Sequence, residues 1–300
     1  IARVDPRMKV DLVDAYRAAG DVVAMTGDGV NDAPALSRAD IGVALAGEMG
    51  TDVAREAAEI VVTNGDLGTI AGAVREGRRI YRNLMTVVAY LLTGNVSEVL
   101  VVVGSLLVFP ELAVPLLPVQ LLWLNLVTDG LPALALGVDR APADPLDGPP
   151  RQRDEALLSR QRVLVLFARA LVIAIPVLVS GVIAHRAGWD SGEVRTQLLL
   201  SLLCAHLLLA YASRARRWTF ERGWWRNAGL LAAVAGSLLL QVPAFATSVG
   251  RSVLGLAPLP PGGWALAAVS ALVAVFTIDL ARMLARRRVV ARPLRAARES

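Results

Sequence analysis

Cysteine is nearly absent from this 300-residue chain: Cys204 stands alone, which excludes a disulfide framework and a cysteine-based metal site. Lysine is as scarce. Of the 31 basic residues only Lys9 is lysine, and the other thirty are arginine. Drift toward arginine accounts for the thirty. The one lysine is either a chance survivor or a position that needs a compact ammonium, able to sit against a phosphate where a planar guanidinium would not fit. No signal-peptide pattern opens the chain, and a start at Ile1 predicts the C-terminal piece of something longer. Long apolar runs, by contrast, are plentiful. A hydrophobic fraction of 55% and a mean hydropathy of +0.53 are too high for an ordinary globular domain, although the first eighty residues are polar enough for one. The net charge of +5 invites a nucleic-acid reading. Its placement argues instead for membrane orientation, and no nucleic-acid partner is expected.

The polar segment alternates between helix and strand. Residues 6–19 read as a helix, with Pro6 near its start, Val10, Leu12 and Val13 apolar, and Gly20 after its end. Residues 21–25, 41–45 and 60–63 suit short buried strands, with a helix over 51–59. This order predicts a parallel sheet with sites at the carboxyl ends of its strands. After the first strand comes Thr26-Gly-Asp-Gly-Val-Asn-Asp-Ala-Pro-Ala-Leu36. Its glycines Gly27 and Gly29 allow a tight turn, and Asp28 and Asp32 sit four apart where a helix begins. Two carboxylates on such a turn, with Lys9 from a preceding segment, suit Mg²⁺-dependent phosphoryl chemistry. Mg²⁺ takes hard oxygen ligands and keeps several waters, so one or two carboxylates suffice, while a lysine neutralises the transferring group. Asp-Gly and Asn-Asp are also ordinary turn formers, but the eleven-residue run is more specific than its parts.

From Asp66 to about Phe109 neither a proline nor an evident stop interrupts a helical pattern. Its first part is charged, with Arg75, Glu76, Arg78, Arg79 and Arg82; from Leu84 it is apolar. Such a helix would be about 65 Å long, of which about 30 Å crosses a bilayer's hydrocarbon core, leaving a stalk in water. Six apolar stretches run in all: about 84–109, 115–138, 163–185, 194–212, 228–248 and 263–282. The second, with Pro115, Pro118 and Pro132, is expected to be irregular at both ends. Arginines sort to alternate sides. Arg140, Arg151, Arg153, Arg160 and Arg162 fill one loop; Arg214, Arg216, Arg217, Arg222 and Arg226 fill another; and Arg282, Arg286, Arg287, Arg288, Arg292, Arg295 and Arg298 end the chain. The opposite loops hold only Arg186 and Arg251. The Arg-rich loops, the tail and the soluble segment therefore belong in the cytoplasm. The tail also suits anionic lipid headgroups. Trp218, Trp224 and Trp225 fit an interfacial belt, and Asp279 has Arg282 within i+3 reach.

Polar groups at membrane depth are where function is sought. Asn95 and Glu98 are three apart on one face, and Asn125, Thr128 and Asp129 share another. Gly130-Leu-Pro132 should loosen the helix after them and free carbonyls, and Gly94 allows close approach by the facing helix. Together these residues form an all-oxygen set suited to a hard cation such as Ca²⁺, with its six to eight ligands. Interhelical hydrogen bonding would account for Asn125 or Thr128 alone. It accounts poorly for two carboxylates with no intramembrane Lys or Arg near them in sequence.

The run from Thr26 to Leu36, with Ala2-Arg-Val-Asp-Pro6 and Lys9 upstream, resembles the end of the phosphorylation domain of P-type cation-transporting ATPases, a domain similar to the haloacid-dehalogenase fold. The resemblance continues through Gly77-Arg-Arg-Ile-Tyr-Arg-Asn83, Asn95-Val-Ser-Glu98 and Pro118-Val-Gln-Leu-Leu-Trp-Leu-Asn-Leu-Val-Thr-Asp-Gly-Leu-Pro132 to Arg151, and these motifs are most like the calcium-pumping branch. It implies that Lys9 contacts phosphate, that Asp28 holds Mg²⁺, and that Asp32 and Asn31 support that site. It also implies that Asn95, Glu98, Asn125, Thr128 and Asp129 bind the transported cation. No Asp-Lys-Thr-Gly occurs, so the aspartate that becomes phosphorylated, the domain that binds most of ATP, the actuator loop and the first four membrane helices are expected outside this chain. The fragment alone is expected to be inactive.

The resulting expectation is an α/β haloacid-dehalogenase-like partial domain at 1–65, a stalk helix at 66–83, a six-helix membrane domain at 84–285, equivalent to helices five to ten of the family, and a basic cytoplasmic tail at 286–300. The cofactors would be Mg²⁺ and ATP. The partners would be Ca²⁺, membrane lipid and the N-terminal remainder of the same pump, in the plasma membrane. Two-site members of the branch add a glutamate on the eighth helix. The matching stretch here has only Cys204 and His206, so one ion per cycle is expected, with His206 read as a packing residue. Mn²⁺, Na⁺ or H⁺ as cargo, a non-catalytic membrane subunit and a membrane-tethered phosphatase stand as alternatives.

Overall fold

A computed structural model describes residues 5–46, 50–64, 66–112, 114–140, 146, 156–215, 218–220 and 227–296. Residues 2–4 of the upstream motif, Arg151, Arg153, Arg216, Arg217, Arg222, Arg226 and Arg298 of the charge pattern, and Trp224 and Trp225 lie outside the described residues. The chain divides into two compact units, Ile1–Arg79 with Ala141–Leu157 and Ile80–Arg140 with Leu158–Ser300.

In the first unit, α1 (Pro6–Ala18) is capped by Asp5, whose carboxylate accepts the Arg7 N–H. Pro6 fills a position whose own N–H would find no partner in the helix. Strands β1 (Ala24–Gly27), β2 (Ile41–Leu45) and β3 (Ile60–Val62) form a parallel sheet in that order, with Ala24 opposite Ile41 and Val43 opposite Ile60. The crossovers are α2 (Ala33–Arg38) and α3 (Asp52–Ala57), and Leu36 and Ala54 bury against Ala44 of the middle strand. The first strand lies further along than periodicity predicts. The Val23 N–H donates to the Asp40 carboxylate at 3.0 Å and the Val23 carbonyl accepts from Asp40 and Ile41. That backbone is therefore used before the sheet begins, and Thr26 and Gly27 become strand residues.

The expected six helices are present, all of them in the second unit except the start of the first, which belongs to the first unit. Gly68–Val108, Pro118–Gly137, Arg160–Arg186, Ser191–Arg214, Ala228–Ala246 and Pro261–Ala285 are each long and apolar enough to cross a membrane. The first lies in α4 (Leu67–Val108), which is one unbroken helix. The second is broken into α5 (Pro118–Trp123), a π-helical turn at Leu124–Thr128 and α6 (Gly130–Gly137). Then follow α7 (Arg160–Arg186), α8 (Ser191–Arg214), α9 (Ala228–Ala246), the short α10 (Ser248–Leu254) and α11 (Pro261–Ala296). Of these α8 is the hub: 83% of its apolar window is buried, against 22–39% for the other five. Its Leu198, Leu199, Leu200, Leu202 and Leu203 are apolar on every side, as a helix enclosed by others should be. Small residues let its neighbours approach, Ala170 and Ala174 on α7 and Ala267, Ala271 and Ala274 on α11.

Polar clasps close one end of this bundle. The Asp139 carboxylate accepts from Arg214 Nε and Asn227 Nδ2, each at 2.7 Å, and Asn83 Nδ2 donates to the carbonyls of Gly137 and Asp139. Asp279 accepts the Thr219 N–H at 2.8 Å and Arg282 at 2.9 Å, while Arg282 also donates to the Ala212 carbonyl. Both acids are fully partnered, which is what makes a buried carboxylate tolerable.

Candidate functional site

Two polar centres stand out, one in each unit. In the first, the turn after β1 wraps round Asp32. One carboxylate oxygen of Asp32 accepts Lys9 Nζ at 2.5 Å, and the other accepts the N–H groups of Asp28 and Gly29 at 3.3 and 3.2 Å. Burial favours the neutral acid. The hydrogen bond and charge of Lys9, with the two N–H groups, outweigh it and hold the Asp32 carboxyl below the usual carboxylate range. Gly27 makes the wrap possible: a Cβ on it would lie 2.4 Å from Asp32 Cβ, closer than real side chains approach. Asp28, Asn31 and Thr26 are exposed around this centre. The Asp28 carbonyl accepts both the N–H and the hydroxyl of Thr51, which in turn caps α3. The Asp28 carboxylate is thus presented to solvent beside an ion-paired Asp32. This donor set fits Mg²⁺, which needs few protein oxygens.

The second centre lies among α4, the π turn and α8. Ligating atoms of Glu98, Asp129 and His206 lie within 4.8 Å of one another, and all three residues are buried. Asp129 Oδ1 accepts the Tyr90 hydroxyl at 2.8 Å, and its Oδ2 lies 3.0 Å from His206 Nδ1. His206 Nε2 is 2.9 Å from Ser97 Oγ, whose hydroxyl donates to the Gly94 carbonyl at 2.7 Å. Asn125 Nδ2 donates to both Glu98 oxygens, at 3.1 and 3.4 Å. Gly94 leaves the space in which these groups meet, since a Cβ there would lie 3.2 Å from His206 Cε1 and 3.3 Å from Asp129 Oδ2.

The π turn shapes this centre. The Asp129 N–H bonds to the Leu124 carbonyl five residues back, at 2.9 Å, so the ordinary ladder is interrupted where the ligands are. The loosening thus falls before Gly130, not after it. The displaced carbonyls are taken up by α9: Ser237 Oγ donates to Val127 at 3.0 Å and lies 3.4 Å from the Thr128 carbonyl. Gln241 donates to Thr128 Oγ1 at 3.3 Å and accepts from Trp123 Nε1 at 2.7 Å.

Of the five membrane residues singled out from sequence, Glu98, Asn125 and Asp129 are brought together. Thr128 is buried but turned to Gln241, and Asn95 is exposed. Sequence reasoning read His206 as a packing residue; it is fully buried, with Ser97 Oγ and Asp129 within hydrogen-bond distance of its two ring nitrogens. The signal available for it was a titratable side chain within an apolar span. Tyr90 and Ser97 gave no comparable signal.

Residues 113–284 match the family described as cation transporting ATPase, C-terminus. The calcium-transporting ATPase of Bacillus subtilis (strain 168) is 38% identical over 266 residues, which cover 88% of this chain and 30% of that protein. The endoplasmic reticulum-type calcium-transporting ATPase 2 of Arabidopsis thaliana is 47% identical over 159 residues, 52% of this chain and 15% of its own length. The endoplasmic reticulum calcium ATPase srcA of Aspergillus fumigatus is 51% identical over 159 residues, 52% of this chain and 16% of its length. The chain therefore spans less than a third of the curated relatives named here. With its six membrane-length helices, it is an integral membrane protein that belongs to the C-terminal family of the cation-transporting P-type ATPases.

Proposed function

We propose that this chain is the C-terminal part of an ATP-driven pump that moves Ca²⁺ out of the cytoplasm through an aspartyl-phosphate cycle. The observation that carries the reading is the pair of buried carboxylates, Glu98 and Asp129, converging where the π turn breaks its helix. Two acids at membrane depth are costly unless a positive partner joins them. A cation taken from water supplies that partner, and the calcium-transporting names of the relatives point to Ca²⁺.

In this reading the first unit is the end of a haloacid-dehalogenase-like phosphorylation domain, and the rest of the pump supplies the aspartate that accepts phosphate. Lys9, held by Asp32 at 2.5 Å, presents its ammonium to the phosphoryl oxygens. Asp32 positions the Lys9 ammonium and fixes the Asp28–Gly29 backbone. Asp28, exposed beside it, would hold Mg²⁺; when bound, that ion neutralises phosphate charge. Helix α4 begins in the first unit and carries Tyr90, Gly94, Ser97 and Glu98 of the cation site. The Arg-rich loops orient the first unit and the C-terminus toward the cytoplasm.

The test is ATP-dependent Ca²⁺ uptake by the full-length protein in inside-out vesicles. Uptake at micromolar Ca²⁺, lost in Asp129→Ala, is the expected result. ATP hydrolysis stimulated by Na⁺ and indifferent to micromolar Ca²⁺ would overturn the choice of ion. Normal ATP hydrolysis with Glu98 and Asp129 both replaced by Ala would favour a tethered phosphatase instead.

A further inference from the structure

We propose that the corner where α7, α11 and the end of α8 meet binds one anionic phospholipid of the cytoplasmic leaflet. The lipid phosphate sits on Arg169, beside Arg282. This corner is separate from both polar centres described above. Its lipid reading rests on the cytoplasmic placement of the Arg-rich loops and stands whichever ion is carried.

Arg169 is the residue that calls for a partner. It stands nine residues after Arg160, about 14 Å along α7 and within its membrane-length span. There it is half-buried, and none of the described residues gives it a hydrogen bond or an ion pair. An arginine at such a place is costly unless an anion joins it. The charge that acts on it has the wrong sign: Arg282 of α11, which packs against α7, is close enough to repel it. Asp279, the acid beside Arg282, is already engaged at both oxygens. One accepts Arg282 at 2.9 Å and the Thr219 hydroxyl at 3.0 Å, and the other accepts the Thr219 N–H at 2.8 Å. Two guanidinium groups thus share one carboxylate, and one positive charge is unmatched. A phosphodiester supplies what is missing, a negative charge spread over two oxygens that match the planar fork of an arginine.

Depth favours a lipid headgroup over a free ion. Arg282 lies three residues before the end of the span Pro261–Ala285, and it donates to the Ala212 carbonyl in the last turn of α8. Thr219, pinned to Asp279, is flanked by an exposed Trp218 and an exposed Phe220. Aromatic side chains of this kind settle at the level of the headgroups. Three independent markers, two helix ends and an aromatic pair, therefore put Asp279 and Arg282 at phosphate level. The Arg169 stem reaches that level by extending along apolar surface. Basic pockets between helices on the cytoplasmic side hold anionic headgroups in this manner.

The experiment titrates the full-length protein in detergent with phosphatidylglycerol, or with zwitterionic phosphatidylcholine, and counts retained lipids by native mass spectrometry. The expected result is one phosphatidylglycerol held more tightly than phosphatidylcholine. Its affinity should be about tenfold weaker in Arg169→Gln. It should be unchanged in Arg160→Gln, whose exposed guanidinium lies at the start of the same helix. Equal retention of the two lipids, unchanged affinity in Arg169→Gln, or an equal loss in both variants would overturn the site. Millimolar inorganic phosphate should leave the lipid bound; displacement would mean a free-anion site and overturn the choice of lipid. Should Arg169→Gln fail to fold, a phosphatidylglycerol analogue with a photoreactive headgroup decides in the parent protein. Labelling concentrated on the peptides that hold Arg169 and Arg282 supports the site, and labelling spread over the other basic loops overturns it.

Discussion

Asp32 and Asp129 are the same side chain in opposite solvents. Asp32 sits at the edge of water with an ammonium at 2.5 Å and two backbone N–H groups; Asp129 lies within a membrane span with a tyrosine hydroxyl at 2.8 Å and an imidazole at 3.0 Å. In the turn, glycines let the main chain fold over the carboxylate, so local backbone supplies most donors. In the span the main chain is consumed by its own helix ladder. Partners must then come from other helices, the Tyr90 hydroxyl from α4 and the His206 ring from α8. Apart from Lys9, the soluble site is therefore written in eleven consecutive residues, and the membrane site is scattered over 117, from Tyr90 to His206.

The comparison can be broken first at its glycines. Gly27→Ala would force a Cβ to 2.4 Å from Asp32 Cβ, and the turn has to open. Overpacking of this kind costs about 1–3 kcal/mol, and the misplaced Lys9 and Asp28 should lower phosphoenzyme formation by the full-length pump about a hundredfold. Wild-type phosphorylation would contradict the wrap. Gly94→Ala is milder. Its Cβ would meet His206 and Asp129 at 3.2 and 3.3 Å, a crowding relieved by small shifts. A loss of about tenfold in Ca²⁺ affinity is expected, equivalent to about 1.4 kcal/mol. Unchanged tracer binding would remove Gly94 from the site.

A smaller effect separates the solvents by pH. The Asp32 carboxyl is held below its usual range, so the stabilisation it gives is fully present above the unfolded value of about 3.9 and is lost as pH falls through the lower folded value. Amide exchange at Asp28 and Gly29, corrected for intrinsic rate, should therefore stay slow at pH 4–5 and accelerate only on further acidification. In Asp32→Asn it should be fast throughout. Equal protection in both proteins would refute the assignment. Least affected should be Ser237→Ala, which leaves the Val127 carbonyl without its donor at 3.0 Å. A loss of about 1 kcal/mol, seen as a drop of a few degrees in melting temperature, is expected. No change would mean the π turn does not depend on α9.

These differences explain what was legible beforehand. The six spans, the alternation of strands and helices and the Thr26–Leu36 run are local patterns, and all the elements but β1 lie close to where periodicity places them. β1 is displaced because a side chain seventeen residues on, Asp40, claims the Val23 N–H. Within the membrane, Glu98 and Asp129 announce themselves by charge. The orientation of Thr128 depends on a π turn that no apolar period encodes, and the exposure of Asn95 depends on where the edge of a buried face falls. The contact that His206 makes was not legible. Its partner Asp129 is 77 residues away, so only folding reveals that the two meet.

The central claim is that the carboxylates at membrane depth hold the transported ion. Equilibrium binding of radioactive Ca²⁺ to the full-length pump, comparing the parent protein with Glu98→Gln and Asp129→Asn, tests it most directly. Loss of binding by about a hundredfold or more in each variant, with phosphorylation by inorganic phosphate retained, is the predicted result. Ca²⁺ binding unchanged in both would contradict it.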